Sequence, residues 1–96
     1  MKAYVYILFS SKLNRFYIGS TELEPEKRLD LHLSKNYGSS KFTAKADDWI
    51  IYDSKLFLNI SIARKAERYI KRMKSKRFIE SLKNNPLKWE WIVERI

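Results

Sequence analysis

The chain has 96 residues, the length of one small domain. Hydrophobic residues make up 45% of it and aromatic residues 15%, which is too apolar for a disordered chain. The net charge of +9 at pH 7 creates a field that attracts polyanions, so nucleic acid is the expected partner. The absence of cysteine excludes disulfides and thiolate zinc sites.

The chain has no recognisable targeting or membrane segment. Its first residues lead straight into a strand-like run without a long apolar region, so we expect no signal peptide. No stretch approaches the ~20 apolar residues that a membrane helix needs. We therefore expect a cytoplasmic protein without a membrane partner.

Two short strands open the chain. β-branched and aromatic residues fill positions 3–9, and positions 15–20 resemble a hairpin partner across a turn-like segment. Such a hairpin brings the hydroxyls of Tyr6 and Tyr17 to one small sheet. Gly19 near the end of the second strand predicts a close approach of the backbone to another group.

A helix is predicted over residues 25–34, because a proline opens it and apolar residues recur at helical spacing. Leu29 and Leu33 share one face. Arg28 and His32 are also four residues apart and form a parallel stripe at the edge of that face. A polar stripe beside a core predicts a cleft.

A long polar and basic loop follows at residues 35–48 and is a candidate functional loop. Its lysines are candidate nucleic-acid contacts: Lys35, Lys41 and Lys45. Residues 49–58 are predicted to form a third strand with a break near Asp53 and Ser54.

Two helical segments are predicted next, over residues 62–74, with Ser61 as N-cap, and over residues 75–83. The helical period predicts that five side chains of the first segment face the core: Ile62, Ala66, Tyr69, Ile70 and Met73. Lys71 and Lys74 belong to a basic run that we expect to contact phosphates.

The remainder of the chain, residues 84–96, is rich in tryptophan. Its apolar residues alternate as in a strand, yet the proline before them suits a helix, so either conformation is open. Trp89 and Trp91 are too apolar to leave in water, and we expect this extension to pack on the domain formed by residues 1–83.

An ordered set of residues resembles the GIY-YIG nuclease family in its short, stand-alone form. Two tripeptides at hairpin spacing carry the resemblance, Val5-Tyr6-Ile7 and Tyr17-Ile18-Gly19, and Arg28, His32 and Glu67 follow in order. The resemblance covers about residues 3–83. It implies an α+β fold with a small three-stranded, largely antiparallel sheet flanked by helices.

The resemblance also implies an activity: a divalent-metal-dependent endonuclease acting on DNA, with RNA as a further possibility. Tyr17 would activate water and Tyr6 would orient the phosphate or water. Arg28 and His32 would bind phosphate, a role that suits the planar guanidinium. Glu67 would hold Mg²⁺ or Mn²⁺, ions that often take only one or two protein carboxylates.

Two departures from the family pattern are visible. Tyr4 stands where the first tripeptide has glycine. The family often has an asparagine after its glutamate, whereas Asn84 and Asn85 lie far downstream and Lys74 is nearer that place.

Other interpretations stay open from the residues alone. Glu67 and Lys71 are spaced i,i+4, so they also suit a simple helix ion pair. The whole protein could bind nucleic acid on a nuclease-like fold without cutting it. It could also bind a protein partner or self-associate through Trp89 and Trp91.

Overall fold

In a computed structural model, which describes residues 1–34 and 45–96, the chain forms one three-stranded sheet with helices on both faces. The strands are β1 (Ala3–Ser10), β2 (Arg15–Thr21) and β3 (Ile50–Phe57), and the helices are α1 (Pro25–Ser34), α2 (Ile60–Met73), α3 (Lys76–Asn84) and α4 (Lys88–Val93). The strand order is β2-β1-β3, and both pairings are antiparallel. The predicted α+β class with a small antiparallel sheet is confirmed.

The predicted hairpin joins β1 to β2. Tyr6 lies opposite Gly19 and Leu8 lies opposite Tyr17. The turn uses a positive φ of 51° at Asn14, a conformation that asparagine tolerates better than most residues. The Ser10 hydroxyl accepts from a turn amide and donates to Asp48 Oδ1 at 2.6 Å, which anchors the turn.

The sheet separates two apolar clusters, because successive side chains of a strand point to opposite faces. The larger cluster joins β1 and β2 to α2, α3 and α4, with Ile7, Ile18 and Ile70 among its members. The smaller cluster lies on the α1 side and contains Tyr6 and Trp49. The hairpin therefore presents Tyr6 and Tyr17 to α1, and Ile18 to α2.

Strand β3 is continuous, with one irregularity in its pairing with β1. The register shifts between Ile7 and Leu8, which face Asp53 and Ile51. Tyr52 is therefore the extra residue of a bulge. The break predicted near Asp53 and Ser54 is a register irregularity at Tyr52, and the strand itself runs through both residues without interruption.

Helix α2 begins earlier than predicted. Its N-cap is Asn59, whose Oδ1 accepts from Ile62 N at 2.9 Å, so the prediction of Ser61 as N-cap was wrong. The helix buries Ala63, Ala66 and Ile70.

The last turn of α2 also differs from the prediction. Met73 was predicted to face the core and is exposed instead, because the helix ends at this residue. Lys74 follows with a positive φ of 48°, and its N–H donates to Lys71 O at 3.2 Å. Ile62 and Tyr69 are partly buried against the larger cluster.

The C-terminal segment contains the helix α4, which decides between the two conformations left open above. Trp89 is 2% exposed and belongs to the larger cluster, and its Nε1 donates to Asp53 Oδ2 at 3.3 Å. Trp91 is 36% exposed and has ring contacts to Tyr69 and Phe78. The division of the chain at residue 83 stays a prediction. Within residues 1–34 and 45–96, no helix has the length and apolar character needed to span a membrane.

Candidate active site

A buried polar cluster joins β1 to α1. The hydroxyl of Tyr6 lies 2.9 Å from His32 Nε2 and accepts a hydrogen bond from Arg28 Nε at 3.3 Å. Tyr6 and His32 are each 1% exposed. Arg28 and His32 are one helical turn apart on α1, so both side chains reach the same point of the sheet.

The electrostatics of this cluster determine where its protons lie. Burial raises the pKa of Tyr6 to about 12, although the hydrogen bond from Arg28 opposes the rise. Burial also lowers the pKa of His32, and the neighbouring Arg28 charge adds to the effect. Both groups are therefore neutral at pH 7. The tautomer of the neutral imidazole sets the direction of this hydrogen bond: the Tyr6 hydroxyl donates to Nε2 when the His32 proton is on Nδ1.

Gly19 makes room for this cluster. A Cβ atom at position 19 would lie 2.5 Å from the Tyr6 hydroxyl oxygen and 2.6 Å from Cζ of the same ring. Real Cβ atoms do not approach other atoms so closely, so a side chain here would displace Tyr6. The close backbone approach predicted at Gly19 is confirmed.

Tyr17 lies diagonally across the hairpin from Tyr6. The two ring centroids are 6.2 Å apart, and the Tyr17 ring meets the His32 ring edge-on at 5.1 Å. Tyr17 is half-buried and lines a cavity of about 460 Å³. Cationic side chains line the same cavity: Arg15, Lys71, Lys74 and Lys76. An anion beside Tyr17 would meet a positive field.

Glu67 reaches the same region from α2, on the opposite side of the edge strand β2. Its Oε1 accepts from the Ser20 hydroxyl at 2.6 Å, and its Oε2 lies 2.6 Å from Lys71 Nζ. The side chain is 17% exposed and lines a cavity of about 230 Å³ with Arg64 and Arg68. Burial is the largest cause that raises the pKa of Tyr6, and the negative charge of Glu67 is one of the smaller ones. Glu67 is therefore electrostatically coupled to the Tyr6 hydroxyl.

The chemistry of Glu67 fits a single-carboxylate site for a divalent cation. The carboxylate forms an ion pair with the Lys71 ammonium, and the Ser20 hydroxyl holds one of its oxygens. Mg²⁺ often takes one protein carboxylate and completes its octahedron with water and phosphate oxygens. Among residues 1–34 and 45–96, no three His, Cys, Asp or Glu side chains form a group that could hold a metal ion. Glu67 would then act alone.

The remaining predicted nucleic-acid contacts fall in different places. Lys71 and Lys74 line the Tyr17 cavity, and Lys45 is exposed at the start of the second described range. Lys35 and Lys41 lie outside the described residues. Sequence reasoning missed Ser20, which the alternation of β2 places with Ile18 on the α2 side.

A comparison with known protein families identifies the family of this chain. The family model of the GIY-YIG catalytic domain matches residues 2–84, nearly the whole chain. The protein belongs to the GIY-YIG family. Membership implies a nuclease-type, hydrolytic activity on nucleic acid, and nucleases of this family generally use divalent metal ions. No curated protein and no solved structure matches the chain.

Proposed function

We propose that this protein is a divalent-metal-dependent endonuclease that hydrolyses phosphodiester bonds of DNA. One observation carries the proposal: Tyr6 of β1, Arg28 of α1 and Glu67 of α2 lie against the edge strand β2, which itself carries Tyr17. Phosphodiester hydrolysis needs a group that accepts the proton of water, cations at the developing charge and a metal ligand. These side chains supply all three.

The environments of the two tyrosines support different roles. Tyr6 is buried, has a pKa of about 12 and is hydrogen-bonded to two partners, so it stays protonated. Tyr17 lines an open cavity with cationic side chains around it. Tyr17 is therefore the residue that activates water, and Tyr6 orients its neighbours.

Arg28 is the proposed phosphate ligand. The hydrogen bond from its Nε to Tyr6 fixes the plane of the guanidinium, so phosphate binding would use its terminal nitrogens. His32 is too buried to meet a phosphate, and it acts by holding the Tyr6 hydroxyl. Arg28 would stabilise the negative charge that grows on the phosphate oxygens in the transition state.

Glu67 is the residue that would hold Mg²⁺ or Mn²⁺, with Ser20 orienting the carboxylate. When bound, the cation supplies Lewis-acid stabilisation of charge on phosphate oxygens. When nucleic acid binds, the Lys71 ammonium would leave Glu67 and pair with a phosphate. Lys74 would bind a neighbouring phosphate. A free ammonium attracts phosphate as a mobile point charge, whereas Arg28 is held in place.

The test is cleavage of supercoiled plasmid and of branched oligonucleotides with Mg²⁺ or Mn²⁺. We expect wild type to cut, and we expect Tyr17→Phe and Glu67→Ala to lose at least roughly a hundredfold in rate. Tyr4→Phe and Glu80→Ala are matched controls, since both residues lie outside the site, and they should cut at the wild-type rate. Undiminished metal-dependent cutting by Glu67→Ala would refute the proposed mechanism.

A second function is favoured by the ion pair between Lys71 and Glu67. If the ammonium serves as the permanent partner of this carboxylate, the protein binds nucleic acid without cutting it. The same experiment separates the two functions. If the protein is a binding module, we expect no cutting of any substrate while salt-sensitive nucleic-acid binding is retained.

Association with a protein partner or a second copy through Trp89 and Trp91 stays a prediction. Because Trp89 is buried, Trp91 is the accessible part of that surface.

A further inference from the structure

A second basic groove lies on α2, beside the candidate active site. It has a volume of about 510 Å³, and six cationic side chains line it: Lys65, Arg68, Lys71, Arg72, Lys74 and Arg95. Arg68 also lines the Glu67 cavity, and Lys71 and Lys74 also line the Tyr17 cavity. This α2 groove therefore shares lining residues with the cavity at Tyr17 and with the cavity at Glu67.

The charge of the α2 groove is poorly compensated within the protein. Among the described residues, Lys71 forms an ion pair with Glu67, whereas Arg68, Arg72 and Arg95 form none. Like charges held close together repel one another and lower the stability of the fold. A polyanion in the groove would relieve that repulsion.

Aromatic rings hold two of the arginines. Arg95 Cζ lies 3.5 Å from the centroid of the Trp91 ring, and its Nη1 donates to the Trp91 carbonyl at 3.0 Å. Arg72 Cζ lies 5.8 Å from the Tyr69 ring centroid. The rings of Tyr69 and Trp91 meet edge-on at 5.9 Å, so both guanidinium groups rest on one aromatic pair. Stacking of this kind restrains an arginine without consuming its charge.

Arg95 and Trp91 lie beyond residues 2–84, the part of the chain that matches the family. The groove therefore combines family residues of α2 with residues of the C-terminal segment. Residues 65–74 of α2 span roughly 14 Å at 1.5 Å per residue. That length corresponds to about four nucleotides of one B-DNA strand at 3.4 Å per step.

We propose that the α2 groove binds the backbone phosphates of the nucleic-acid strand flanking the cleavage position, with Arg72 and Arg95 as its main contacts. This inference rests on the proposed function, because it takes the scissile phosphate to lie at Tyr17 and Glu67. Because these contacts are made to phosphates, they give no preference for particular bases. They increase affinity through charge and fix the position of the strand on the protein. The C-terminal segment is then part of the nucleic-acid interface.

The test is equilibrium binding of labelled oligonucleotides in EDTA, measured by fluorescence anisotropy over a range of salt concentrations. Oligonucleotides of about 6 and about 16 nucleotides are compared, since single-strand sites commonly cover lengths in this range. The test variant is Arg72→Gln/Arg95→Gln. The control is Arg77→Gln/Lys83→Gln, which removes the same charge from α3, outside the groove. Thermal melts check folding, and if the double variant unfolds, Arg72→Gln alone is used.

For the longer oligonucleotide we expect the test variant to bind roughly tenfold more weakly than the control, as two lost ion contacts imply. The slope of log K against log salt should fall by about 1.4 to 1.8 in magnitude, since each phosphate contact contributes about 0.7 to 0.9. The short oligonucleotide still covers the roughly four nucleotides of the groove, so it should bind more weakly overall and show the same order of affinities. Equal binding of both variants to the long oligonucleotide overturns the inference.

Cleavage assays on the same proteins separate this inference from the proposed function. If wild type cuts and the two double variants bind alike, the inference alone is wrong. If wild type does not cut but the test variant binds more weakly than the control, the groove is supported and the endonuclease is not.

Discussion

At the residue scale, the Tyr6 hydroxyl connects three parts of the chain that are distant in sequence. It bonds His32 and Arg28 of α1, and it fills the space that Gly19 leaves on β2. A buried polar network of this kind is rigid only when each member has its partner. The tripeptide glycine and the first-strand tyrosine are therefore parts of one packing arrangement.

His32 gives this network a pH dependence that can be measured. Burial and the Arg28 charge lower its pKa below the ~6.5 of an unfolded chain. Below about pH 6.5 the unfolded chain therefore binds a proton that the folded chain resists, so the free energy of unfolding falls as pH falls. We expect this fall between pH 7.5 and 5.5 in urea denaturation of wild type, and a flatter profile in His32→Gln. His32 is the only histidine, so parallel profiles would contradict the assignment.

Gly19→Ala tests the packing itself. The new methyl group would lie 2.5 Å from the Tyr6 hydroxyl oxygen, so we expect a loss of about 1–3 kcal/mol in the free energy of unfolding. A double-mutant cycle identifies the cause. In a Tyr6→Ala background the clash has no partner, and Gly19→Ala should then cost close to nothing. If Gly19→Ala lowers the free energy of unfolding by the same amount in both backgrounds, the clash with Tyr6 is not its cause.

At the scale of the element, α2 carries different types of side chain on its different faces. Ala63, Ala66 and Ile70 face the sheet, Glu67 lies at the border, and the arginines and lysines face outward. Small alanines let the helix approach the hairpin closely, which brings Glu67 within reach of Ser20 on the edge strand. The same helix thereby supplies a core face, a carboxylate and the proposed phosphate-binding surface.

Lys71 would compete with a divalent cation at the proposed Glu67 site, because its ammonium lies 2.6 Å from the carboxylate. Lys71→Met keeps the length of the side chain and removes the charge. We expect Mn²⁺ to bind this variant roughly two- to fivefold more tightly in isothermal titration calorimetry without nucleic acid, the range of a partly exposed ion pair. Lys65→Met, on the same helix and without an ion pair to Glu67, is the control. Equal affinity in both variants would show that Lys71 does not compete.

The element boundaries show which local signals the sequence carries. Composition and hydrophobic period predict strands β1 and β2 and helix α1, because each of these patterns is compatible with only one type of secondary structure. Asn59 and Ser61 are both good N-caps, and local preference cannot rank them. The exposure of Met73 depends on where α2 ends, which Lys74 decides by adopting a left-handed conformation.

At the scale of the whole molecule, the tripeptide pattern was enough to predict the hairpin of β1 and β2 and a close approach of the backbone at Gly19. The position of Glu67 was not predictable in the same way. It depends on how α2 packs across the sheet and on Ser20, which no motif singles out. The α2 groove likewise depends on α4, because it brings Trp91 and Arg95 back to Tyr69 and Arg72.

The burial of Trp89 leads to a prediction about the stability of the whole domain. Trp89 is 2% exposed within the larger cluster, whereas Trp91 is 36% exposed. A small domain has roughly 5–15 kcal/mol of stability, and Trp→Ala at a buried position costs about 3–5 kcal/mol. We expect Trp89→Ala to lose that amount in urea denaturation, and Trp91→Ala to lose about 1 kcal/mol from its ring contacts. Because Trp91 supports Arg95, its variant should instead weaken binding of long oligonucleotides. Equal destabilisation by both variants would mean that the segment packs as a unit and that the two tryptophans have no separate roles.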